Sequence, residues 1–172
     1  MFAMNLVRSQ TTIPVPCVRR VINHVHPDGT GLIAIDCIRN GKQLHACWPS
    51  LSLWAKLKVI LTVRFYLRQL RQIQDVHSST PGPLGPHPSS CKGLQFGLDS
   101  KGPFLTTATL AEHFHEELRR AEDRYFRGRK SLDGSIFARF VFTHNDLNMR
   151  NILLDDEGRL GLGLVWLLPY GL

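Results

Sequence analysis

A chain of 172 residues, 43% hydrophobic and 20% charged, can bury one core and is too apolar to be disordered throughout. Its formal charge of +7 invites an anionic partner. The basic residues, however, are scattered from Arg19 to Lys130 with no run interleaved with aromatics, so a nucleic-acid partner is disfavoured.

Met1–Gln10 reads as the end of a helix. Its apolar stretch is short and broken by Asn5 and Arg8, which does not suit a secretory signal. Pro14 and Pro16 stop helix and force extended backbone over Thr12–Val15. Cys17–Val25 is predicted as a strand, Asp28-Gly29 and Gly31 as a turn, and Gly31–Ile38 as a second strand pairing with the first. Asn40-Gly41 ends it. Ser52 is placed to cap a long helix reaching about Gln74, with Leu53, Leu57, Ile60, Leu67, Leu70 and Ile73 as its buried stripe and Lys58, Arg64, Arg68 and Arg71 off that stripe. Residues 78–103 hold five prolines among Ser and Gly and read as one extended loop. Thr109 and Glu112 form a capping-box pattern for a helix to about Phe126. Phe137–Thr143 and Asn151–Leu154 read as strands. Asp155–Gly158 is a hairpin turn from which Arg159–Trp166 returns.

The four cysteines, Cys17, Cys37, Cys47 and Cys91, form no C-x-x-C and suit a reducing compartment. His24 with His26, and His113 with His115, alternate as ligands would on a strand. No second ligand pair has matching spacing, so surface histidines are the preferred reading. No run reaches the roughly 18 apolar residues of a membrane span. No membrane association and a cytoplasmic location are therefore expected.

The chemistry concentrates in Phe142–Arg159, which contains His144-x-Asp146-Leu147-x-x-x-Asn151. This is the kinase catalytic-loop pattern with Asn145 in place of Arg. Phosphoryl transfer needs a carboxylate to orient and deprotonate the acceptor hydroxyl, and an oxygen ligand for Mg²⁺ beside the phosphates. Asp146 fits the first role and Asn151 the second. His144 fits a structural role, holding the loop through hydrogen bonds. The competing reading is a polar turn between two strands, with Asp and Asn chosen for turn chemistry.

On these residues the chain resembles the aminoglycoside phosphotransferase/choline kinase group, most closely the fungal proteins with that domain. Thr12-Ile13-Pro14-Val15-Pro16, the strand Ile33–Ile38 with Gly41 and Leu44, Trp48–Leu51, and Gly102-Pro103-Phe104 with Thr106 support the resemblance. It implies an α+β, protein kinase-like fold in partial form. Residues 1–41 would be a remnant of the small-lobe sheet with its hinge, and residues 42–172 part of a helical large lobe carrying the 144–151 loop and its β-hairpin. It further implies ATP and Mg²⁺ as cofactors, a small-molecule hydroxyl as acceptor, Asp146 and His144 as catalytic-loop residues, Asn151 as metal ligand, and backbone at Asp36, Cys37 and Ile38 against the adenine.

The chain also departs from that pattern. A Gly-rich phosphate loop and a strand Lys paired with a helix Glu are not found before the hinge. Val165 stands where the family has a metal-binding Asp, and Val offers no oxygen to a hard cation. The helices that complete the large lobe do not follow Trp166. These departures lead us to expect a truncated, degenerate copy with impaired or absent transfer, or else a pseudokinase-like binding module. Self-association through the apolar Leu162–Leu168 stretch is also expected.

Overall fold

The computed structural model describes residues 2–22, 32–38, 40–74, 80–85, 87–93, 96–125, 137, 140–144 and 146–162. The chain is α+β and divides into two compact units, residues 1–74 with 141–172, and residues 75–140. A boundary near residue 41 lies inside the first of these.

In the first unit, helix α1 (Phe2–Gln10) buries Met4 and Val7. The prolines end it, and Ile13, in the irregular segment that follows, is buried in the core. Strands β1 (Val18–Ile22) and β2 (Leu32–Ile35) pair antiparallel, with a register shift between Val18 and Arg20. A short strand β3 (Lys42–Gln43) follows, then a single helical turn α2 (Leu44–Cys47) and a 3₁₀ turn at Trp48–Ser50. Between β2 and β3, Asn40 takes a left-handed conformation with φ of 58°. Gly41 is needed for space: a Cβ there would stand 2.9 Å from Ile38 Cγ2.

Helix α3 (Leu53–Gln72) starts where the sequence places it, with Ser52 Oγ accepting from the Ala55 amide at 3.2 Å. Its buried side keeps the second half of the predicted stripe, Leu67, Leu70 and Ile73, but not the first. Val59, Leu70 and the following Ile73 are buried, and Val63, Tyr66 and Leu67 pack against them. Leu53, Leu57 and Ile60 are exposed, Leu53 by 86%. At ~100° per residue the inward face lies about a quarter turn from the predicted stripe. Arg64 and Arg71 share the outer arc with those leucines instead of lying off it. Three contacts fix this rotation. Tyr66 Oη donates to the Leu160 carbonyl at 3.2 Å, the Thr12 amide donates to Gln69 Oε1 at 2.8 Å, and Gln10 Nε2 donates to the Gln74 carbonyl at 2.8 Å.

Strands β6 (Ile152–Leu154) and β7 (Leu160–Leu162) form the hairpin expected after the 144–151 loop, and the rest of the predicted return strand, 163–166, lies outside the described residues. β3 adds to its other edge, Lys42 opposite Leu154, giving the order β3-β6-β7. Ile152, Leu160 and Leu162 point into the same aliphatic core as Met4, Val7, Leu44 and Leu70. Residues 140–143 are not a strand. Phe142 is half-buried between exposed Val141 and Thr143, so the alternation is present without a ladder among the described residues.

In the second unit, β4 (Cys91–Gly93) and β5 (Gly97–Lys101) pair antiparallel inside the segment expected to be one extended loop. Helix α4 (Thr107–Tyr125) begins before the predicted cap. Thr106 is the capping side chain, its Oγ1 accepting from the Thr109 amide at 3.2 Å, while Thr109 Oγ1 donates back to the Thr106 carbonyl at 2.9 Å. Cys91, Phe104 and Leu110 are buried, with Phe96, Phe114, Phe137 and Phe140 around them. His113 lies within this cluster, its ring 5.2 Å from that of Phe104 and 5.4 Å from that of Phe114. It is a half-buried member of an aromatic cluster, not a surface histidine. His24, His26 and Gly163–Trp166, with Val165, lie outside the described residues.

Candidate functional site

The loop between Phe142 and β6 is anchored at both ends. Phe142, Leu147 and Met149 pack on the aliphatic core. The Met149 carbonyl accepts from the His45 amide at 2.9 Å, which joins the loop to α2. The Asp146 amide donates to the His144 carbonyl at 2.8 Å, and the Asn151 amide to the Asn148 carbonyl at 3.0 Å. Two tight turns in a row bring residues 146, 148 and 151 to one side of the loop.

There the Asp146 carboxylate is held by two side-chain amides. Asn148 Nδ2 donates to Oδ1 at 2.8 Å, and Asn151 Nδ2 donates to Oδ2 at 2.9 Å. Asn151 Nδ2 also donates to the Asp146 carbonyl at 2.8 Å, so its amide protons are spent on one residue and its Oδ1 is the remaining acceptor end. Asn148 Oδ1 in turn accepts from the Arg150 amide at 2.9 Å. The carboxylate is exposed, fixed in position and bonded to neutral donors only among these contacts.

His144 is the buried foot of the loop, 1% exposed. Burial pushes its imidazole below the ordinary range, and the nearby Asp146 charge opposes that shift. Asp146 and Asn151 are thus brought together as the spacing requires. Asn148 was not singled out from sequence; the signal was a second Asn at two residues from the Asp, where a side-chain amide can close a turn onto a carboxylate.

Asp36, Cys37 and Ile38 lie in the same unit, just before β3. The Asp36 amide donates to the Cys17 carbonyl at 3.0 Å. Arg19 grips its side chain, Nη2 to Oδ2 at 3.1 Å, and this guanidinium holds the Asp36 carboxyl below the usual range. Cys37 is exposed. Ile38 turns toward β7, where a Cβ at Gly161 would meet its Cδ1 at 3.6 Å.

A magnesium ion fits the donor set at the loop. Mg²⁺ keeps several waters and phosphate oxygens and takes only one or two protein oxygens, and Asn151 Oδ1 and the Asp146 carboxylate are hard oxygen donors on two side chains that the Asn151 Nδ2 hydrogen bond holds together.

No family model, no curated protein and no solved structure matches the chain.

Proposed function

We propose that this chain is a kinase-like phosphotransferase domain of the aminoglycoside phosphotransferase/choline kinase type, with a protein kinase-like fold and with weak or absent transfer. The observation that carries this reading is the Asp146 carboxylate bracketed by Asn148 and Asn151 beside a β-hairpin. A carboxylate fixed by two amide donors keeps both oxygens aimed, and each oxygen retains a lone pair for an acceptor hydroxyl. In that role Asp146 would accept the proton of a small-molecule alcohol as it attacks the γ-phosphate. Asn151 would present Oδ1 to the metal while its Nδ2 keeps the base in place. Bound Mg²⁺ would supply neutralisation of phosphate charge.

A second reading, a non-catalytic pseudokinase-like module, is favoured by Val165 at the position where the family places a metal-binding Asp. Calorimetry of Mg·ATP binding to the full chain separates the two. Magnesium-dependent binding that weakens in Asn151→Ala supports the phosphotransferase reading. A folded protein that binds no Mg·ATP overturns it and leaves the binding module.

A further inference from the structure

Helix α3 carries a second surface, on the side away from its core. Leu53, Trp54, Leu57, Ile60, Leu61 and Phe65 are all exposed, Trp54 by 75%. Six large apolar side chains on one helix face exceed the scattered hydrophobics of an ordinary surface. They are also ordered. Trp54, Lys58 and Thr62 form one row at steps of four, and Leu57, Leu61 and Phe65 form the next. Between the rows runs an open groove of about 330 Å³. Parallel rows at this spacing accept the i, i+4 ridge of another helix, which crosses at about −50°.

Charge narrows the occupant. The 20 residues of α3 include Lys56, Lys58, Arg64, Arg68 and Arg71 and no acidic residue. Lys58 stands in the groove wall, and Arg64 and Arg68 continue the outer arc beyond the apolar part. A second copy docking through the same face would set these cations against each other. A flat anionic bilayer would satisfy the charge but leave the groove unfilled. We infer that the outer face of α3 is a docking surface for an amphipathic helix of a partner protein, with an apolar i, i+4 ridge flanked by Asp or Glu. The inference stands apart from the catalytic loop and holds whether or not the chain binds Mg·ATP.

The test uses the full chain and a fluorescein-labelled synthetic helix of 18 residues, about five turns. Leu and Phe form its ridge and Glu its flanks. A control peptide carries the same ridge with Lys flanks, and vesicles of neutral lipid with and without phosphatidylserine serve as the membrane probe. Binding of the Glu peptide should weaken at least about tenfold in Leu61→Glu and in Trp54→Ala, and by a smaller factor in Lys58→Glu. The Lys peptide should bind at least about tenfold more weakly than the Glu peptide. Trp54→Ala is a truncation at an exposed position, so it keeps the test readable if Leu61→Glu fails to fold. Equal affinity for the two peptides overturns the inference. So does binding to phosphatidylserine vesicles in preference to the peptide, or self-association abolished by the same variants. Absence of binding to any probe overturns it as well.

Discussion

Two carboxylates only nine positions apart in the sequence are held in opposite ways. Asp155, in the turn between β6 and β7, accepts from the Glu157 amide at 3.0 Å and the Arg159 amide at 2.8 Å, and its other oxygen meets Arg159 Nε at 2.9 Å. Those backbone amides and the Arg159 guanidinium hold its carboxyl below the usual range, and the cation balances its charge. Asp146 has the same number of fixed oxygens, but its donors are two neutral amides. The first arrangement closes a turn. The second fixes a carboxylate while leaving its charge for something that arrives from solution. The contrast extends to Asp36, whose carboxylate is occupied by Arg19. Under the proposed function, Asp146 is the working carboxylate and the other two shape the chain around it.

Exchanging the two carboxylates tests this most severely. Asp146→Ala should lower whatever phosphoryl transfer the chain supports by about 10²–10⁴-fold, as expected for loss of a general base, and leave thermal stability nearly unchanged. Asp155→Ala should do the reverse, lowering the thermal midpoint because two turn amides lose their acceptor, with transfer untouched. Coupled-assay rates and melting curves on the two variants suffice. Loss of transfer in Asp155→Ala alone would erase the distinction.

Much of this arrangement was legible beforehand, and the parts that were not have physical reasons. The spacing of His144, Asp146 and Asn151 announced the loop because each residue's chemistry restricts its neighbours. Ser52 announced the start of α3 because a hydroxyl there has one obvious use. Leu67, Leu70 and Ile73 of the predicted α3 stripe face the core, while Leu53, Leu57 and Ile60 face outward because the helix is apolar on more than one side. Periodicity then cannot choose between faces, and Tyr66 and Gln69, which make the deciding contacts, belong to no hydrophobic pattern. The β4–β5 hairpin was hidden among prolines and glycines. Its strands bring little alternation of their own, and among its described side chains Cys91 in β4 and Phe96 in the connecting turn make the core contacts. Asn148 escaped because Asn in a loop ordinarily serves turn geometry, and here it serves both the turn and the carboxylate.

The two amides that hold Asp146 should differ in effect. Asn151→Ala removes a donor to the carboxylate and the oxygen offered to Mg²⁺ together, so Mg·ATP affinity should fall about tenfold to a hundredfold. Asn148→Ala removes only a donor, and transfer should fall about tenfold with Mg·ATP affinity little changed. Calorimetry gives the first quantity and initial rates give the second. Equal loss of affinity in both variants would mean that the amides merely hold the loop together.

The smallest effect is a pH dependence that also divides the working loop from the structural turns. His144 has its pKa lowered by burial, so the folded chain keeps it neutral where the unfolded chain would protonate it. Just below the ordinary value near pH 6.5, the unfolded state therefore binds the extra proton, and stability falls as pH falls. The slope can approach about 1.4 kcal/mol per pH unit for one proton. Asp36 and Asp155 also have lowered values, and carboxylates of this kind lose their contribution only as pH drops from about 4 toward their folded values. Urea titrations between about pH 5 and 6.5 thus isolate His144 from both aspartates. The wild-type midpoint should slope across that window, and His144→Gln, with no proton to gain, should be flatter though less stable at pH 7. Parallel slopes for the two proteins would assign the acid sensitivity elsewhere and remove His144 as the buried anchor of the loop that carries Asp146.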